Sequence, residues 1–306
     1  MRSKLISVSA AALNMMCAGC LVGNQGLFGG WSGPNVWAEA TEKIPLDAAG
    51  LEAIVVRTHN GAVAFEGQSP ADADAAVTVT KKGGGRTRAR AEEALAAIEV
   101  FVTPTGDGIT KIGWKWKGIK SPGWRGQVSF AITGPESVHI DAETHNGRVQ
   151  VQSATRGVKA VTHNGAVRVA GATGDVKAVT HNGSVDVDCG GGTLYAETHN
   201  GGIEARYAGD NLELLTHNGP VIADLSECHG IDADLTTHNG AVHVTVGEGT
   251  SGDLVLRTHN GRITCDPPVR IAEFSRHQLV GTLGDGGGTI QAVTHNGSIH
   301  LTKPKG

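Results

Sequence analysis

The tetrapeptide Thr-His-Asn-Gly occurs nine times in 306 residues, with its histidine at His59, His145, His163, His181, His199, His217, His238, His259 and His295. From His145 to His217 each copy follows the last by 18 residues, and the later steps are 21, 21 and 36, the last equal to two steps of 18. A short unit repeated at a fixed period must meet the same environment each time, so the chain builds a repetitive architecture rather than one globular core. Eighteen residues beyond His259 lies His277, where the surrounding motif has decayed to Arg-His-Gln.

The residues around each motif alternate with a period of two, as a half-buried strand requires. Val176, Ala178 and Thr180 share one face, and Lys177, Val179 and His181 the other. After the Gly, Val185 and Val187 return to the apolar face. The same parity holds for Leu194, Ala196 and Thr198, and for Leu254, Leu256 and Thr258. Each unit is therefore two short strands separated by Asn-Gly. Asn-Gly is a strong hairpin signal, so an antiparallel meander is one solution. The other is a solenoid with each unit as one coil, stacked about 4.8 Å above the last. The solenoid rewards identical residues at one position, because amides bond their copies one rung away. It also places the three-residue insertions near Cys228 and Gly247 in the bend opposite the motif, and it avoids the long exposed edges of a meander. The expected fold is all-β: a parallel β-solenoid, or β-helix, of about 18-residue coils over residues 138–303.

Upstream, residues 44–137 read as a β part, with one motif at His59 and a short helix over 88–98 in an insertion. Strands are expected at 77–80, 99–103, 110–116 and 127–133. In the third, Ile112, Trp114 and Trp116 alternate with Lys111, Lys115 and Lys117, an amphipathic strand or a membrane- or sugar-facing patch. Residues 1–20 read as an export signal: Arg2 and Lys4, an apolar run, then Ala18-Gly19-Cys20. Its ending resembles a bacterial lipoprotein signal, with Cys20 as the lipidated residue and the membrane as a partner through that lipid. Residues 21–43 read as a flexible tether. Cys189 and Cys265 fall at apolar positions and read as core filler. A net charge of -4 gives no basis for a nucleic-acid partner. No nucleophile-elbow, P-loop or zinc-protease spacing occurs, so no catalytic or cofactor-binding residues are assigned.

Within the motif, Thr is expected to face the core, Gly to supply positive φ at a corner, and Asn to form a ladder. That ladder would run through Asn146, Asn164, Asn182, Asn200, Asn218, Asn239, Asn260 and Asn296. The outward histidine is the residue that shape does not require. Two positions before it the residue varies freely (Glu143, Val161, Val179, Glu197, Leu215), whereas the histidine does not. Three readings stand. The imidazoles stack as a structural column. Or His145, His163, His181, His199, His217, His238, His259 and His295 bind Zn²⁺, Cu²⁺ or Ni²⁺, with Glu143 and Glu197 in reach. Or the row is a pH-responsive surface.

The order of elements resembles the bacterial "putative adhesin" domain family of envelope-associated β-solenoid proteins. The match runs over about 44–303: a strand pair around Thr58-His-Asn-Gly-Ala-Val, a strand, Ala/Leu helix and further strands over 76–132, entry at Gly134-Pro135, then coils turning at Asn-Gly. That resemblance implies a solenoid at the cell envelope, exported and facing the periplasm or the surface. The near-invariant His departs from the varied polar residues usual before the turn. The combined expectation is a non-enzymatic, lipid-anchored binding or scaffolding surface for an unidentified protein or glycan, with a metal-binding column as the alternative.

Overall fold

The computed structural model describes residues 36–69 and 75–304. The strand before each Asn-Gly and the strand after it enter different sheets, of 13 and 12 strands respectively. The hairpin reading is thereby excluded: Asp175–Asn182 pairs in parallel with Thr193–Asn200, one coil on, and Val185–Cys189 with Ile203–Tyr207. Register is fixed by identity of position. Ala160, Ala178 and Ala196 are successive partners in one sheet, and Val167 and Val185 in the other. The inward rows fill a thin core of Val, Ala, Leu and Ile between the two sheets, each Val or Leu contributing about 1.5–3 kcal/mol on burial. Three aromatics, Phe65, Phe130 and Tyr207, are the largest side chains buried in it. Cys189 and Cys228 are buried in it and Cys265 packs against it.

At the C-terminal end, space and sequence part company. The coil of His295 (Thr289–Asn296, Ile299–Thr302) lies between the coil of His238 (Asp232–Asn239) and that of His259 (Gly252–Asn260). The spatial order of the column is therefore 238, 295, 259. No coil forms at His277. Val269–Phe274 and Gln278–Leu283 make an antiparallel hairpin that covers the edge of Gly252–Asn260, and His277 sits in its turn. Without Asn-Gly this segment cannot turn the solenoid corner, so it folds back instead. The insertions near Cys228 and Gly247 do form the bend opposite the motif, where the Thr250 hydroxyl donates to the Leu225 carbonyl at 3.0 Å.

At the other end the coil of His59 (Ala53–Arg57, Val63–Gln68) is capped on both sheets. Ile109–Trp116 and Ile98–Pro104 extend one sheet. Arg125–Pro135, Ala76–Gly85 and Val36–Pro45 extend the other. The helix runs from Arg88 to Ala96, with the Thr87 hydroxyl capping it, and ends two residues before the expected limit because Ile98 already pairs as strand. The last of the outer strands corrects the expected tether. From Val36 onward the stretch 21–43 pairs along its length with Ala76–Gly85, and Glu39 meets Lys82 at 3.0 Å. Its polar composition suits the outer edge of a sheet, which is why it reads like a linker. Cys20, the rest of that stretch and the signal lie outside the described residues. No helix among the described residues is long and apolar enough to cross a membrane.

Candidate functional site

Each corner is built from interactions between neighbouring coils. From Thr144 onward the motif Thr is buried, and its hydroxyl donates to the carbonyl of the motif Gly one coil away: Thr162 to Gly147 at 2.9 Å, Thr180 to Gly165 and Thr198 to Gly183 at 2.8 Å. It does not bond another Thr. The same carbonyl explains the glycine. A β-carbon on Gly183 would lie 2.0 Å from the Gly165 oxygen, and one on Gly165 2.1 Å from the Gly147 oxygen. Of the nine motif glycines only Gly61 and Gly219 have positive φ. The expected conformational requirement is thus replaced by close approach of backbones. The asparagines form the expected ladder, exposed at the corner. Every Nδ2 donates to the Oδ1 of the neighbouring coil at 2.7–2.9 Å, from Asn260 through Asn296, Asn239, Asn218, Asn200, Asn182, Asn164 and Asn146 to Asn60.

Immediately outside this ladder the nine motif histidines make one exposed stack. Successive ring centroids are 4.7–4.9 Å apart with interplanar angles of 1–9°. The structure thus brings all eight predicted histidines together, with His59 completing the row. His163 titrates below the usual histidine range, first through loss of solvent and then through the charges of His145 and His181 on either side. Stacked rings of this spacing do not converge. With centroids 4.7 Å apart and planes parallel, the nitrogen lone pairs lie within their own ring planes and run side by side, so two rings do not aim at one ion about 2.1 Å from each. Among the described residues no three His, Cys, Asp or Glu side chains meet around a common point. Glu143 is engaged by Arg57 at 3.2 Å, and Glu197 accepts from the Tyr195 hydroxyl at 2.6 Å.

Beside the column runs the row two residues earlier, and between the two rows lie open grooves. One, of about 730 Å³, is lined by Leu215 and Val293 and reaches the turn of the capping hairpin at His277. Another, of about 610 Å³, spans the coils of His59 to His199. Near its start Asp141 is held below the usual carboxylate range. Burial alone would raise it, but the hydrogen bond and charge of Arg57 and the charge of Lys159 outweigh that. Burial is the main cause that pushes the buried thiols up, Cys189 to about 12 and Cys228 to about 11. Two features have no counterpart in the motif. His243 and His300 stack at 4.7 Å on the other sheet, recoverable from sequence only if the non-sequential coil order is known. A tryptophan-lined cavity lies at the start of the column. The alternation of Trp114 and Trp116 hinted at it, but Trp37 and Trp124 come from distant segments.

No family model and no curated protein matches the chain. Among solved structures it is similar to a putative cell adhesion protein from Clostridium sporogenes, at 11% identity and TM-score 0.23, over 87% of this chain and 100% of that one. It is also similar to a putative adhesin from Bacteroides fragilis, at 12% identity and TM-score 0.41, over 87% and 97% of the two chains. A third, a putative adhesin from Parabacteroides merdae, is 10% identical with TM-score 0.29, over 86% and 95%. None of these supplies a residue-by-residue correspondence for the column.

Proposed function

We propose that this protein is a non-enzymatic, exported β-solenoid, anchored by lipid at Cys20, that displays its histidine face as a docking surface for an envelope protein or glycan. One observation carries the reading. The same exposed imidazole recurs on nine consecutive rungs at 4.7–4.9 Å, while the flanking row changes from Arg57 to Glu143 to Val161. Thr, Asn and Gly are accounted for by the corner, and the histidine is not. A catalytic centre needs one unequal pocket, whereas this face offers many equivalent positions along a rigid line. Extended solenoid surfaces suit contact with long or repetitive partners.

The test has two independent parts. Mass spectrometry of the mature N-terminus from a bacterial host is expected to find an acylated Cys20, and an unmodified or uncleaved chain removes the anchor from the proposal. For the face, a His163→Ser, His181→Ser, His199→Ser triple variant keeps the buried corner. Saturable binding of the labelled wild-type chain to purified cell envelopes, lost in the triple variant, is expected. Equal binding by both would place docking elsewhere on the molecule.

A further inference from the structure

We infer that the cavity at the start of the column is a binding site for an acidic saccharide. The chain has five tryptophans, and four of them (Trp37, Trp114, Trp116 and Trp124) line this one cavity of about 870 Å³. Trp114 and Trp116 meet edge to face at 5.4 Å and 79°, and Trp124 lies 5.8 Å from Trp116 at 34°. The rings seat against bare backbone, since a β-carbon on Gly126 would lie 2.8 Å from Trp116 and 2.9 Å from Trp114. Trp114 is fixed further by its Nε1–H donating to the Thr58 hydroxyl at 3.1 Å. Concave, aromatic-lined cavities of this size with a few polar groups are the usual form of a small-ligand site.

The polar groups choose the ligand. All eight amide–amide bonds of the asparagine ladder point the same way, each donor toward the cavity end. Aligned amide dipoles polarise one another and add, so the ladder presents its positive end at Asn60. Asn60 lines the cavity, and among the described residues its Nδ2 has one partner, the Gly126 carbonyl at 3.4 Å. Exposed Lys120 and Arg125 stand at the same cavity, Lys120 at 5.9 Å from the Trp116 ring, and among the described residues no carboxylate lines it. Tryptophan faces accept the apolar face of a pyranose ring, while a terminal amide donor and two cations suit hydroxyls and a carboxylate. Two cations on a chain of net charge -4 do not make the continuous basic track that a nucleic-acid strand needs. The site shares His59 with the column, but its test reads the tryptophans and the two cations and does not rest on the histidine-face reading.

The experiment follows tryptophan fluorescence of the mature full chain against oligogalacturonate, against a neutral malto-oligosaccharide, and against phosphatidylglycerol vesicles. A saturable change with oligogalacturonate is expected, weakened about tenfold or more for the neutral sugar and in a Lys120→Glu, Arg125→Glu variant. Both positions are exposed, so this variant is expected to keep the wild-type far-ultraviolet dichroism. Trp37→Ala provides a second variant at the rim, 42% exposed, with the same expected loss. The proposal is overturned by no saturable change below about 5 mM, or by unchanged affinity in the charge-reversed variant. A response to vesicles alone overturns it too, because Ile119, 95% exposed in the adjoining loop, would then mark a membrane dock.

Discussion

At the scale of single residues, the motif divides its work between sterics and hydrogen bonding. Gly183→Ala forces a β-carbon onto the Gly165 carbonyl from 2.0 Å, and neither backbone can retreat without breaking its own sheet. Overpacking of this kind is expected to cost about 3 kcal/mol, seen as a lower urea midpoint. Thr180→Val keeps the buried volume but leaves the Gly165 carbonyl without its 2.8 Å donor, at an expected cost of about 1–2 kcal/mol. If the alanine variant proves the milder of the two, close approach is not what selects glycine. The sequence makes the inward Thr and outward His legible through parity alone. It cannot reveal why Gly follows Asn, because the atom that excludes a side chain lies 18 residues away.

At the scale of the column, protonation works against stacking. The histidines stack face to face with nothing anionic between successive rings, so charging neighbours sets like charges one rung apart. For His163 the sign follows from its depressed titration. The folded state takes up its proton at lower pH than the usual 6.5 of the unfolded chain. The stability contribution is therefore full above pH 6.5 and is lost as pH falls from there through the folded-state value. A melting temperature lower at pH 5.5 than at pH 7.5 is expected, with a smaller difference in His163→Ser. An identical melting temperature at both values would count against the stack as observed. The column also carries a prediction about metals. Since adjacent rings cannot share an ion without leaving the stack, calorimetry with Zn²⁺, Cu²⁺ and Ni²⁺ is expected to show nothing tighter than roughly tens of micromolar. Tight stoichiometric binding would restore the metal reading and require the rings to turn. The histidine positions were fully legible from the repeat. Their parallel, non-convergent geometry was not, because it follows from ring rotation about the side chain.

At the scale of the molecule, the interruption at the C-terminus is the part that one-dimensional reasoning could not reach. A 36-residue step looks like a skipped coil, and only pairing partners reveal that the His295 coil enters between those of His238 and His259. We predict that in folding the His238 coil pairs first with the His259 coil, only 21 residues away. Both present the same Thr-His-Asn-Gly corner and inward Leu or Ala rows, so they can pair directly in a register that excludes the last coil. On that route the pairing opens before Thr289–Asn296 inserts, and non-local strand pairing is slow in any case. The full chain is therefore expected to refold with a slow phase at least about tenfold slower than its main one, followed by far-ultraviolet dichroism. Deleting residues 251–287 joins the His238 coil to the His295 coil, which already pair in register from Asp232↔Thr289 to Asn239↔Asn296. The shortened protein would keep an unbroken column of eight coils and is expected to unfold cooperatively and refold without the slow phase. Persistence of that phase in the deletion would place its origin in the N-terminal cap, and the inserted coil would then be a late but unobstructed addition.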